Sequence, residues 1–382
     1  MHIVHVLTRL ARGGAEENTL ATAEWQAAAG HCVTVIHGGR AECPVPRGVA
    51  AAACAPLVHP VAPRADLAAL RALRRLYRDL GPDVIHTHQS KAGILGRLAA
   101  DAAPGAIVIH GIHIVPFESV GTGPAALFRG AERLAARRTH GFIAVTDAAA
   151  CAYVDAGIAP REKVAVVRSG MDLARFRGAA PPQDAAALSG RVPGGARRPL
   201  AVMLASFEPR KRQAALIAAI ARRGAGALGG LRLVLAGDGP ERAAVARLIA
   251  THGLAEHVVL AGHRDDPERL LAIADLSVLV SAREGLPRAA VQSLAAGRPV
   301  VSTALPGLAE LVHDGRNGVL CGPDDMDGVV TALGRIARDR ALWRRLAAGA
   351  AATDVSDWAL DLLGRRTTEA YARFAPALRR AA

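Results

Sequence analysis

Three groups of side chains in this chain have the types and spacing for chemistry. The first is a carboxylate, Glu284, in the turn Glu284-Gly285-Leu286-Pro287, which follows the apolar run Leu276-Ser277-Val278-Leu279-Val280. Residues 288–296 are helix-compatible and stop at Gly297, and Pro299-Val300-Val301 opens another apolar run. This order predicts strand, loop, helix and strand, with Pro287 at the first helical position and Gly297 at the helix end. The start of that helix offers unpaired N–H groups and the positive end of its dipole, which suit a phosphate or sugar hydroxyls. The second group is the cation pair Arg210-Lys211, ahead of a helix predicted from about Arg212. Two cations at a helix start counter the charge of an anion without metal. The third is imidazole. His86 and His88 are two apart on one predicted strand, hence on one face, and His110 and His113 lie at the end of another. The pair His86/His88 could bind a metal, but no third ligand follows at a sensible spacing, so no metal site is expected. Taken singly, these features also fit a surface turn, a basic helix cap and a structural strand-end histidine.

The elements that must position these residues alternate in type. Ile3-Val4-His5-Val6-Leu7 is a strand candidate, followed by a loop ending in Gly13-Gly14, a helix over 15–29 with Glu16 and Glu17 in its first turn, and a strand at Val33-Thr34-Val35-Ile36. A β–Gly-loop–α–β opening is a doubly wound start, and the glycines allow backbone to approach an anion closely. Residues 38–65 read as loop with one short strand. Residues 66–80 form an amphipathic helix with Arg71, Arg74, Arg75 and Arg78 on one stripe, either a solvated face or one attracted to anionic lipid. Strands follow at 83–88, 107–112, 142–145 and 164–167, with a helix over 125–138 bearing Arg129, Arg133 and Arg137. Residues 176–199, mixing Pro, Gly and Arg, make the best interdomain segment. A second βα series then begins at Leu200, passing through Gly237-Asp238-Gly239-Pro240-Glu241 and the loop 262–266. Ser356, a candidate N-cap, opens a last helix carrying Trp358, Leu362, Leu363, Tyr371 and Phe374.

Composition sets bounds. A chain of 382 residues suits two domains, and 51% hydrophobic content argues for a globular protein. The net charge of +13 points to an anionic partner, although abundant Arg also reflects a GC-rich coding bias. Aromatics at 3% and the absence of a reader motif disfavour nucleic acid. Five widely spaced cysteines without a C-x-x-C pair indicate free thiols in a reducing cytoplasm rather than a disulfide frame or a zinc site. The first residues are too short and too basic for a signal-peptide core, and no uncharged run reaches the roughly 18 residues of a membrane span. Any membrane contact is therefore expected to be peripheral, at the inner face of the cytoplasmic membrane.

Several ordered blocks resemble the retaining glycosyltransferases of family 4. The stretch 281–303 is similar to that family's signature, with Glu284 at its first acidic position and Gln292 where a second glutamate is commoner. Ser206-Phe207-Glu208-Pro209-Arg210-Lys211 resembles its phosphate block: Lys211 matches the lysine, Ser206 stands where an arginine is expected, and Arg210 could supply the missing charge. Gly13-Gly14-Ala15-Glu16 resembles the amino-terminal glycine loop, and the run 82–100 a block whose loop, with His88 and Lys91, faces the acceptor. In HGIHIVPF, His113 is the better match to the family's active-site histidine, with His110 an alternative. Ser169-Gly170-Met171-Asp172, with Ser169 in place of an asparagine, and residues 307–318 resemble further blocks.

The resemblance implies an α/β chain of two Rossmann-like domains facing a cleft, the GT-B architecture. An acceptor-side domain is expected over 1–178, a nucleotide-sugar domain over 197–355, and a carboxy-terminal helix over 356–382 crossing back to the first. It implies a hexosyltransferase that moves a hexose or N-acetylhexosamine from a nucleotide sugar, UDP-linked on family frequency, with retention and without metal or other cofactor. The acceptor would be a glycan, lipid-linked or small-molecule hydroxyl. In this reading Glu284 and the backbone of Gly285, Leu286 and Pro287 fix sugar hydroxyls, and Gln292 holds ribose. Arg210 and Lys211, with Gly13 and Gly14, meet the diphosphate, and His113 lines the sugar pocket. The rivals are a nucleotide-sugar epimerase or hydrolase of the same fold and a non-catalytic sugar- or lipid-surface-binding relative, for which the departures at Ser206 and Gln292 leave room.

Overall fold

The apolar runs fold as thirteen parallel strands in two sheets, seen in a computed structural model that describes residues 1–11, 13–39, 41–118, 120–190 and 197–375. The chain forms two units, Met1–Met171 together with Asp357–Ala382, and Asp172–Ser356. Each is a doubly wound α/β layer structure.

In the first unit the strands are β1 (His2–Leu7), β2 (Cys32–His37), β3 (Val49–Ala53), β4 (Val84–His88), β5 (Ile107–Ile112), β6 (Gly141–Ala144) and β7 (Val164–Val166). Their order is β3-β2-β1-β4-β5-β6-β7, so the winding reverses between β1 and β4. Such a reversal leaves a crevice at the carboxyl ends of the two strands, where ligands of open α/β sheets bind. Both faces are buried, as an all-parallel sheet requires. Val4, Val6, Ile85 and Val108 pack on Leu73 and Tyr77 of the helix Pro63–Leu80. On the other face Ile3, Val84, Ile107 and Ile109 meet Leu363, Ala370 and Tyr371 of the last helix, Leu360–Phe374.

That last helix begins at Leu360, later than expected. Residues Ser356–Trp358 form a separate short turn, and Ala359 bridges to Met171. It lies on the first helix, Gly14–Ala28, so tightly that a Cβ on Gly364 would strike the Trp25 ring. The unit boundary also falls before residue 178, because Phe176 is buried with Leu188, Leu200 and Val202 in the second unit. Of the segments expected between units and at the carboxyl end, residues 191–196 and 376–382 lie outside the described residues.

The second unit holds β8 (Leu200–Leu204), β9 (Arg232–Ala236), β10 (Val258–Gly262), β11 (Leu276–Leu279), β12 (Val300–Thr303) and β13 (Gly318–Cys321), in the order β10-β9-β8-β11-β12-β13. Here the reversal lies between β8 and β11. Among the described residues no helix is long and apolar enough to cross a membrane. None of the five cysteines is in a disulfide.

Candidate functional site

The second unit brings the cation pair and the carboxylate together at its sheet reversal. After β8 the chain runs through Ser206 to a short turn, Pro209–Lys211, and after β11 through Ser281 to Glu284. The Ala282 N–H donates to the Arg210 carbonyl at 2.7 Å, which ties the two loops together. Glu284 then accepts from Arg210 Nη1 at 3.1 Å, from the Ser281 hydroxyl at 2.7 Å and from Lys211 Nζ. Its side chain is 8% exposed, against 13% for Lys211 and 26% for Arg210. Low exposure limits solvent screening, so the cluster is electrostatically stronger than a surface pair. Arg210 Nε also donates to Glu208 at 2.8 Å. Burial by itself would raise the Glu208 carboxyl, but the Arg210 charge and hydrogen bonds outweigh it and leave its pKa below the usual value.

The support beneath is backbone. Gly237 and Gly239 have φ of 148° and 150°, and Cβ atoms there would collide with Ala205 and Phe207, so the Gly-Asp-Gly turn after β9 can lie flat against the phosphate-block loop. The Phe207 N–H donates to the Asp238 carbonyl at 2.9 Å and the Gln213 side chain to the Ser206 carbonyl at 2.8 Å. Arg212 is left-handed, with φ 59°, held by Pro323 and Asp324.

Pro287 sits one position earlier than expected: it caps the helix, which spans Arg288–Ala295, with Gly297 left-handed just beyond its end. Gly285, Leu286 and Pro287 are buried, and Gln292 is half-buried one turn into the helix. In the loop 262–266, Arg264 is engaged by Asp184 and Asp266, and His263 by Asp265 at 3.1 Å.

In the first unit, β4 and β5 put four imidazoles in two environments. His110 is buried on one face of β5, its Nδ1 3.0 Å from the Thr87 hydroxyl and its ring against Gly93, Phe142 and Tyr153. His113 lies past the end of β5 with Nε2 2.9 Å from His88 Nδ1. Burial pushes His113 down to about 4, and His110 well below its ordinary value. His88 is itself buried, its Nε2 3.0 Å from His5 Nδ1 on β1, so it is not presented at the surface as an acceptor-facing residue would be. Lys91 pairs with Asp66 at 2.5 Å and with the Pro60 carbonyl, which holds its loop to the helix Pro63–Leu80.

Gly13 caps the first helix in extended backbone and Gly14 begins it. A Cβ on Gly13 would lie 2.7 Å from Glu16 Oε2. Glu16 is buried, and burial raises its carboxyl despite the nearby Arg9. Gln89, left-handed at φ 61°, donates to Glu16 at 2.8 Å and accepts from the Thr8 N–H at 2.8 Å. Sequence reasoning missed this Thr8–Gln89–Glu16 chain; an acid at the third residue of a glycine-led helix was its one signal. The third imidazole beside His86 and His88 was also missed. It is His5, which β1 contributes from 81 residues before His86 in the sequence by pairing beside β4. Of the arginine stripes, Arg74 is engaged bidentately by Asp101 at 2.7–2.9 Å and Arg133 by the Ala156 carbonyl.

Comparison with known proteins adds identity to this geometry. The family model described as Glycosyltransferase Family 4 matches residues 12–175, and the one described as Glycosyl transferases group 1 matches 198–339. The chain is 30% identical over 288 residues to the UDP-Gal:alpha-D-GlcNAc-diphosphoundecaprenol alpha-1,3-galactosyltransferase of Escherichia coli, covering 72% of each chain. It is 36% identical over 149 residues to the lipopolysaccharide core biosynthesis glycosyltransferase LpsE of Rhizobium meliloti, 39% of this chain and 42% of that one. Among solved structures it resembles Anabaena HepE in complex with UDP (TM-score 0.77, 22% identity, 97% of this chain and 99% of that one). It also resembles the sucrose-phosphate synthase of Thermosynechococcus elongatus (TM-score 0.81, 19% identity, 99% and 100%). These last two are likenesses of fold, the GT-B fold.

Proposed function

This chain belongs to glycosyltransferase family 4, and from that premise we propose that it transfers a hexose or N-acetylhexosamine from a UDP-sugar to a hydroxyl of a glycan or lipid-linked acceptor, with retention and without metal in the transfer step. The observation that carries the donor assignment is the cluster of Arg210, Lys211, Ser281 and Glu284 at the sheet reversal of the second unit. Two cations beside a carboxylate divide the labour a nucleotide sugar needs: positive charge for the diphosphate, an anionic acceptor for sugar hydroxyls. In the step proposed, the bond from the sugar's anomeric carbon to the phosphate oxygen breaks. The acceptor oxygen bonds to that carbon on the same face, and the acceptor's proton passes to the departing phosphate. Arg210 and Lys211 counter the charge that grows on the leaving diphosphate, which is the largest demand of such a reaction.

In the same reading Gln292 bonds ribose, the backbone of 285–287 holds the sugar, and Gly13 and Gly14 lie toward the diphosphate. His113 is assigned to the sugar because it follows the end of β5 with its ring against His88, whereas His110 is committed to the core. UDP as the base-bearing half follows the relatives: one is named for UDP-galactose and a lipid diphosphate acceptor, and one fold neighbour was solved with UDP. Arg71, Arg75 and Arg78 remain an exposed basic face on the helix Pro63–Leu80, suited to an anionic membrane surface where such an acceptor would reside.

The test is a panel of nucleotide sugars offered to the purified protein, read by calorimetric binding and by mass of the products with polyprenyl-diphosphate sugar acceptors. Transfer from a UDP-sugar, lost in Lys211→Ala and Glu284→Ala with unchanged circular dichroism, is expected. Turnover of the donor to a new sugar or to free sugar, with no acceptor product, assigns an epimerase or hydrolase instead. Binding of no nucleotide assigns a non-catalytic relative.

A further inference from the structure

The imidazole cluster beneath His113 is more than a packed core. The parallel register of β1 and β4 pairs His5 with His86, and His88 follows two residues on, so three rings share one face of two adjacent strands. All are buried, at 0%, 3% and 2% exposure. One ring nitrogen of each lies within 4.8 Å of one from each of the others. The remaining nitrogens are each held from outside: His5 Nε2 is 2.8 Å from Gln26 Oε1, His86 Nδ1 is 2.7 Å from the Tyr371 hydroxyl, and His88 Nδ1 is 2.9 Å from His113 Nε2.

Proton accounting makes this arrangement unusual. A neutral imidazole has one N–H. If each spends it on its outer partner, the inner atoms His5 Nδ1, His86 Nε2 and His88 Nε2 all carry lone pairs. Two of these, on His5 and His88, then face each other at 3.0 Å with no proton between them. The third, His86 Nε2, is buried with no hydrogen-bond partner among the described residues. Buried polar atoms left this way are costly. A cation placed among them removes both penalties.

We infer that His5, His86 and His88 form a zinc site within the first unit. Imidazole suits Zn²⁺, and nitrogens bound at about 2.0–2.1 Å in a tetrahedron stand roughly 3.3 Å apart; His5 Nδ1 and His88 Nε2 already stand at 3.0 Å, and all three rings bring a nitrogen within 4.8 Å of the others. Outer partners on the second nitrogen of every ligand are the usual support of such a site. A small cavity lined by Asn18, Thr22, Gly111 and His113 adjoins His86 and His88. Gly111 is essential to that space: a Cβ there would come 2.8 Å from His88 Nδ1 and 3.2 Å from His86 Nε2. The ion joins β1 to β4 and, through Gln26 and Tyr371, the first helix to the last. It also sets a tautomer. With His88 Nε2 on the metal, His88 Nδ1–H donates to His113 Nε2, so the His113 proton resides on Nδ1.

The experiment uses the full chain without a polyhistidine tag. Metal content is measured by mass spectrometry as purified, and the chelator-stripped protein is titrated with Zn²⁺ by calorimetry and with Co²⁺ by visible absorption. One Zn²⁺ per chain, a four-coordinate Co²⁺ spectrum and a chelator-reversible rise in Tm are expected, with at least about 100-fold weaker binding in His5→Gln and in His86→Gln. His252→Ala, an exposed histidine of the second unit, should bind as the wild type does. Should the ligand variants misfold, Gln26→Leu and Tyr371→Phe remove outer contacts only and should each weaken Zn²⁺ by roughly 10- to 100-fold. Absence of bound metal with no heat on titration overturns the inference and leaves a proton-sharing imidazole chain. So does unchanged affinity in properly folded His5→Gln and His86→Gln, or in the two outer-contact variants.

Discussion

Glu284→Gln separates the two tasks assigned to the second unit, because its effects on nucleotide and on sugar run in opposite directions. In the protein as it stands, the Glu284 carboxylate engages both Arg210 and Lys211. A diphosphate must compete with it for them. Glutamine keeps the size and can still accept from the Ser281 hydroxyl, but it brings no charge. A hydrogen bond to a charged group contributes about 1.5–3 kcal/mol, and side chains only 8–13% exposed retain most of that against solvent. Relief of one such competing contact, at about 1.4 kcal/mol per tenfold, gives roughly 10- to 100-fold tighter UDP in Glu284→Gln. Turnover of the UDP-sugar should fall at the same time, because the acceptor for the sugar hydroxyls has lost its charge. Titration calorimetry with UDP and with the UDP-sugar, beside steady-state kcat, reads both. UDP affinity equal to or weaker than the wild type's, in a variant with native circular dichroism, would refute the claim that this carboxylate and a diphosphate contend for the same cations.

Other expectations concern the first unit. Arg97 and Glu132 form a fully buried pair at 2.6 Å, each with one polar atom lacking a partner among the described residues. Arg97→Met alone should cost about 3–5 kcal/mol in urea unfolding, and Arg97→Met with Glu132→Leu should recover most of it; equal losses in both would count against the pair. His113 is held near 4 in the fold against 6.5 in the unfolded chain. The unfolded state therefore takes up the extra proton, and stability is lost as pH falls from about 6.5 toward 4, by about 3 kcal/mol at most for this group. In metal-free protein, His113→Gln should flatten that part of the urea-midpoint profile; an unchanged slope would assign the acid sensitivity elsewhere. Gly364→Ala, which drives a methyl group into Trp25, should lower stability by about 1–3 kcal/mol and shift Trp25 fluorescence; a neutral outcome would mean that the two helices slide apart at little cost.

Strands and their order of appearance were legible because parallel strands buried on both faces must be continuous apolar runs, as Leu276 to Val280 and Ile107 to Ile112 are. The cation pair and Glu284 were legible for a related reason: in a doubly wound sheet the loops after the first and fourth strands meet, so residues 74 positions apart become neighbours. His5 obeys the same rule but carries no local spacing signal, because it reaches His86 and His88 across the sheet rather than along the chain. The choice between His110 and His113 needed register. Gly111 pairs with His88 and His110 with Thr87, so His110 points to the face opposite His88, and the contact of His113 with His88 is made from beyond the strand's end. Gln89 had no signal of its own, because a left-handed glutamine is imposed by Thr8 and Glu16 from elsewhere in the chain. Pro287 shows a smaller limit: a proline preset for helix serves equally well just before one.

The return of the last helix to the first sheet bears on biosynthesis. Ile3, Val84, Ile107 and Ile143 share a buried cluster with Leu363 and Tyr371, so the ribosome completes this layer only after the whole intervening unit has been made. Until then a nascent chain would carry an uncovered aliphatic sheet face, the kind of surface that chaperones shield and that aggregates when it is left open. Expression fragments ending near residue 171 should therefore be insoluble where the uninterrupted polypeptide is not, and recovery of such a fragment by a supplied peptide spanning 357–375 would show that the helix docks last.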